Sequence, residues 1–183
     1  SAHEARQGNV GAGTGASVGK LCGMARAMKS GLGTASLKAG DLVVGAIMVV
    51  NAFGDVVDPS TGNIIAGTRN AADDGFLNTA SALRRVTKDG EPFKNTVIGA
   101  IATNARLDKA QVNRIAEAAH DGLARVVRPA HTLYDGDTFF ALATGQVDAS
   151  FVTACEMAAE VTALAILNGI LAAEGAGGLR GYG

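Results

Sequence analysis

Residues 94–105 read Lys-Asn-Thr-Val-Ile-Gly-Ala-Ile-Ala-Thr-Asn-Ala, which puts Thr96 at the first position of an apolar strand. A threonine hydroxyl is a weak nucleophile until a base takes its proton. At a chain's amino terminus the α-amino group, with an unperturbed pKa of about 7.7–8, is that base. An internal threonine acquires it only when the peptide bond before it is cut. The hydroxyl can make that cut itself, by attacking the preceding carbonyl to give an ester that water hydrolyses. A turn that strains Asn95–Thr96 favours the attack, and the polar run at 87–95 is compatible with such a turn. Threonine is also a common β-branched strand starter. On the residues alone both readings of Thr96 stand.

Other candidate chemistry is sparser. No Ser-His-Asp order stands out. The histidines are His3, His120 and His131; His120 sits beside Asp121, His131 comes just after Pro129, and each reads first as a structural histidine. Asp135 and Asp137 flank a single glycine, two carboxylates with no histidine cluster beside them, which is a poor ligand set for a metal. Residues 8–20, GNVGAGTGASVGK, are rich in glycine, but Leu21 follows Lys20 where a phosphate loop needs Ser or Thr. That stretch reads as a turn-rich connection. Cys22 and Cys155 are far apart and lack metal-type spacing, so they read as reduced, small hydrophobes in a cytoplasmic protein.

The elements that position these groups follow from periodicity. The 183 residues suit one domain, with 48% apolar residues and a net charge of −1 that offers no basic surface for nucleic acid. No signal-peptide layout opens the sequence. A short strand is expected at 30–37. The continuous Val- and Ile-rich run at 41–53 predicts a strand covered on both faces. A short helix is expected at 71–85 and an exposed linker at 87–95. Strands are expected at 97–103 and 138–143. Between them a helix starts at Asp108, with Gln111 three residues later as in a capping box, and Val112, Ile115, Ala116, Ala119 and Leu123 along one face. The last helix, 150–173, is apolar nearly all round; with Glu156 and Glu160 in it, it reads as a buried or subunit-contact helix and not a membrane span. The glycine-rich tail 174–183 is expected to be mobile. Apolar strands with helices on both sides predict a layered α/β sandwich.

Six segments, taken in order, resemble one family: residues 8–20, GLGTAS at 31–36, VVNAFGDVVDPSTG at 49–62, NTVIGAIATNA at 95–105, AHDGLARVVRPAHT at 119–132 and DGDTFFALATG at 135–145. Together they are similar to the self-cleaving N-terminal-nucleophile hydrolases that include the D-aminopeptidase/esterases and β-aminopeptidases. The Asn-Thr junction and the Asp-Gly-Asp resemble the nylon-oligomer (6-aminohexanoate-oligomer) hydrolases most closely. The resemblance implies an αββα sandwich, no cofactor, and self-cleavage at Asn95–Thr96 into 1–95 and 96–183. It implies Thr96 as nucleophile, Lys20 as the basic residue with Lys29 as its rival, Asn51 as an oxyanion donor, and Asp135 and Asp137 as the acidic pair that orients the new amino group. The aminopeptidase branch carries Ser as nucleophile and Ser-x-Glu in place of the acidic pair, and this chain departs from both. Family members have about as much chain again ahead of the position of Ser1. Its absence here implies an apolar face that favours a homo-oligomer or a complex with a chain supplying that portion. The activity implied is hydrolysis of linear amides or short oligoamides; an acyltransferase of the same design and an inactive remnant that acts in assembly are the alternatives.

Overall fold

The computed structural model describes residues 5–86 and 95–182. Along the chain come β1 (Ser17–Val18), β2 (Met28–Lys29), β3 (Leu32–Ala39), β4 (Leu42–Val49), β5 (Asp55–Val57), β6 (Ile64–Ala66), α1 (Thr79–Leu83), β7 (Ile98–Ala105), α2 (Lys109–Val126), β8 (Val127–Arg128), β9 (Thr138–Val147) and α3 (Phe151–Leu171). The main sheet has the order β3-β4-β7-β9. β3 and β4 form a hairpin, β7 lies antiparallel to β4, and β9 lies parallel to β7. A parallel pair needs a crossover, and α2 supplies it. A smaller sheet, β6-β5-β8, flanks the main one.

Both long helices pack on one face of the main sheet. α2 begins where its sequence predicts: Asp108 accepts from the Gln111 backbone N–H, and the Gln111 side chain returns to the Asp108 N–H. α3 starts at Ser150, whose hydroxyl caps Thr153 N–H. It packs closely on β3 because Gly33 has no side chain; a Cβ there would lie 2.0 Å from the Ala165 carbonyl oxygen. Val44, Met48, Ile101, Ile115, Leu123, Ile166 and Ile170 meet in the resulting core. α3 is long and apolar enough to cross a membrane, yet 61% of its apolar window is buried inside the fold.

Four expectations change. The run at 41–53 forms a strand only as far as Val49, and it is covered on one face: Leu42, Val44, Ala46 and Met48 are buried, while Val43 and Ile47 are exposed. Its period of two was masked by apolar residues on both sides. Within 71–85 only Thr79–Leu83 is helical, started by Asn78 at φ 60°. The tail is tied down: Arg180 accepts from Lys29 N–H through its carbonyl, and Tyr182 N–H donates to Ala173. Of the expected linker, 87–94 lie outside the described residues, and Asn95 is buried, not exposed.

Candidate active site

Because β7 lies between β4 and β9, its first residues meet the end of one neighbour and the start of the other. Three segments therefore converge at Thr96. Thr96 N–H donates to the Asn51 carbonyl at 2.8 Å, just past β4. Asn95 N–H donates to the Tyr134 carbonyl at 3.2 Å, in the loop before β9. Val97 N–H donates to Asp137 Oδ1 at 2.8 Å, and Thr138 N–H to the Val97 carbonyl at 3.0 Å. The junction is thus fixed on both sides.

The Thr96 hydroxyl lies against the preceding carbonyl. It donates to the carbonyl oxygen of Asn95 at 2.5 Å, and the carbon of that carbonyl is the atom that self-cleavage would require it to attack. That same oxygen accepts the Gly136 N–H at 2.8 Å. A backbone donor aimed at the oxygen that would gain charge is the arrangement of an oxyanion hole. Gly136 also makes room for the hydroxyl, since a Cβ on it would sit 3.1 Å from Thr96 Oγ1.

Lys20 and Asn51 form the second part. Lys20 Nζ lies 2.5 Å from Asn51 Oδ1, and Ser17 N–H approaches the same oxygen at 3.4 Å. An ammonium only donates, so the amide oxygen must face it, which turns the Asn51 Nδ2 donor the other way. Lys20 is only 3% exposed. Burial lowers its pKa to about 8, against the upward pull of the Asp135 charge. Lys29, its rival, is also buried but is spent elsewhere: its Nζ donates to the carbonyls of Thr14 and Ala16 at 2.6 and 2.9 Å. The fold brings Lys20, not Lys29, to Asn51.

The two aspartates differ in their partners. Asp135 joins its loop to the end of β4, accepting from Phe53 N–H at 3.1 Å and from the Thr132 hydroxyl at 2.6 Å. Asp137 holds the Val97 N–H on one oxygen and faces His131 Nδ1 at 3.0 Å on the other. Burial pushes the Asp137 pKa up and nearby Asp135 adds to it; the Val97 N–H and His131 oppose them. His120, on α2, stacks on Phe139 at 4.3 Å and lies 5.0 Å from the His131 ring. Its pKa is lowered by burial and then by His131. His3 lies outside the described residues. Sequence reasoning missed Gly136 as a donor and His131 as the partner of Asp137. The Asp-Gly-Asp spacing signals the first; nothing local signals the second.

Thr96 and Asn51 also line a cleft of about 290 Å³ with Ala12, Ala16, Val49 and Ile98. The cleft opens on the uncovered face of the main sheet, where Ile47, Ile98, Phe140 and Leu142 are exposed.

The chain is 41% identical over 196 residues to an uncharacterized aminopeptidase of Mycobacterium leprae, an alignment that spans 96% of this chain and 51% of that protein. It is 35% identical over 150 residues to a 6-aminohexanoate-oligomer endohydrolase of Kocuria sp., spanning 78% of this chain and 41% of that one. Its fold matches the L-aminopeptidase D-Ala-esterase/amidase of Ochrobactrum anthropi, described as a variant of the Ntn hydrolase fold, with a TM-score of 0.64 at 20% identity, over 99% of this chain and 50% of that one. The chain therefore spans about half the length of the relatives it matches. The model of peptidase family S58 matches residues 1–182, and the chain belongs to this family.

Proposed function

We propose that this chain carries the nucleophile of an amidohydrolase, Thr96, released by cleavage of its own Asn95–Thr96 bond. The observation that carries the proposal is the contact between Thr96 Oγ1 and the Asn95 carbonyl oxygen, with Gly136 N–H on that same oxygen. In the first reaction Oγ1 attacks the Asn95 carbonyl carbon, and its proton passes through a base to the departing Thr96 nitrogen. Charge gathers on the oxygen that Gly136 holds, and the C–N bond breaks to give an ester and the free Thr96 amine. Water then hydrolyses the ester. In turnover the amine takes the hydroxyl proton, Oγ1 attacks a substrate amide carbon, the ammonium returns the proton to the substrate nitrogen as its C–N bond breaks and the amine departs, and water then hydrolyses the acyl ester to release the acid. Asn51 Nδ2 is the proposed donor to the substrate oxyanion, held in that orientation by Lys20. Asp135 and Asp137 orient the new amine.

The cleft at Thr96 is lined mainly by apolar or small residues, which favours a linear amide with an extended apolar chain. The substrate site also includes whatever covers the bare sheet face. We take that cover to be a further apolar layer, on additional chain or on a partner, because Thr96 and Asn51 open onto the same face as Ile47 and Ile98. The test is intact-mass measurement of purified protein beside its Thr96→Ala variant. Two pieces, 1–95 and 96–183, with hydrolysis of a short linear amide that Thr96→Ala abolishes, is the expected result. A chain that stays whole on long incubation sinks the proposal. Light scattering at micromolar concentration tests the cover, and a well-behaved monomer counts against it.

A further inference from the structure

Outside the threonine corner, the least expected constellation is the line from α2 to Asp137. His131 sits at φ 53°, a left-handed conformation that is rare for a residue with a side chain. In that conformation its Nδ1 reaches Asp137 Oδ2 at 3.0 Å. The Asp137 side chain is only 4% exposed, whereas that of His131 is 43% exposed. The carboxylate thus lies inside, with its imidazole partner between it and solvent. Its other oxygen holds the backbone N–H of Val97, the residue next to the nucleophile.

We propose that His131 is a positioning residue for the reaction at Thr96, fixing the rotation of the Asp137 carboxylate through the Nδ1–Oδ2 contact. The inference rests on the reading of Thr96 as nucleophile. A carboxylate held by Val97 N–H alone can swing about that one bond. A second donor on the other oxygen sets its plane, and each oxygen keeps a second lone pair for the amine of Thr96. His131 also favours the ionised carboxylate, the form that can accept from an ammonium. The charged and titratable groups around the pair are Asp135 beside Asp137, His120 from α2 beside His131, and Asp121 next to His120. Asp135 works against ionisation of Asp137, so His131 opposes a real cost.

Two variants separate positioning from folding. Glycine at 131 suits the left-handed backbone and removes the donor. Asparagine also tolerates that backbone and keeps an N–H donor close to the place of Nδ1. We expect His131→Gly to lower kcat about tenfold and to move the acidic limb of kcat/KM to higher pH, as Asp137 holds its proton longer. His131→Asn should restore most of the rate. A nitrogen NMR measurement reads the contact without turnover: His131 should carry its neutral-form proton on Nδ1 in the parent and shift toward Nε2 in Asp137→Ala. An active parent matched by His131→Gly in rate and pH profile, or His131→Asn as impaired as His131→Gly, overturns the role of His131 alone. An inert parent whose His131 still carries Nδ1–H overturns the reaction at Thr96, and the role of His131 with it.

Discussion

The two faces of the β3-β4-β7-β9 sheet both carry apolar side chains but differ in what covers them. On one, Val44, Met48 and Ile101 are fully buried under α2 and α3. On the other, Val43, Ile47, Ile98, Phe140 and Leu142 remain exposed, and Thr96 and Asn51 open among them. Packing stabilises the first face. The second leaves Thr96 and Asn51 reachable, with their backbone and side-chain polar groups tied by neighbouring loops instead of by a core. Apolar content alone does not distinguish a face that a core covers from one that stays open.

The sharpest way to break that contrast is on the covered face. Ile101→Ala should cost about 2–5 kcal/mol in urea unfolding, since a fully buried side chain leaves a cavity. A loss under about 1 kcal/mol would mean that the helices do not hold this face as described.

Lys20→Met probes the cost of the buried ammonium. The folded pKa, about 8, lies below the ordinary lysine value of 10.5, so folded Lys20 holds its proton less well than unfolded Lys20. Below about pH 8 both states are charged and the folding penalty is fully present. Between about 8 and 10.5 the folded state releases its proton first and the parent gains stability as pH rises. The unfolding free energy of the parent should therefore gain on that of Lys20→Met by on the order of 3 kcal/mol across that window. A difference between the two that stays flat with pH would show that the amine is not buried in the folded chain.

Gly136→Ala tests the corner with little effect on the core. Its methyl group would press on Thr96 Oγ1 and shift the hydroxyl by a few tenths of an ångström. Self-cleavage should slow about a hundredfold, with urea unfolding nearly unchanged. Cleavage at the parental rate would remove Gly136 from the reaction.

The smallest effect belongs to the bare face. Ile47→Ala should change unfolding by less than about 0.5 kcal/mol, because the side chain is 43% exposed, while weakening any association measured by light scattering. A loss as large as that of Ile101→Ala would abolish the distinction between the faces.

Much of the fold is legible in local pattern. The Asp108–Gln111 capping box, the Ser150 cap and the apolar stripe of α2 each follow from side chains within a few residues, because a helix start is satisfied locally. Thr96 at the head of β7 and the Asp-Gly-Asp before β9 are visible for the same reason, and the ordered motifs carried the resemblance to the family. What the sequence could not settle was which partners meet. The resemblance puts Lys20 first and leaves Lys29 as its rival; the close approach of β1 to the end of β4 sends Lys20 to Asn51 and leaves Lys29 on two carbonyls. Asp135 and Asp137 look alike until Phe53 and Val97 reach them from distant parts of the chain and the left-handed backbone of His131 turns its ring back onto Asp137. The apolar run at 41–53 reads as doubly covered, because side-chain type records affinity for an apolar environment but not whether this chain supplies one. Those outcomes depend on contacts between residues far apart in sequence, and tertiary structure alone decides them.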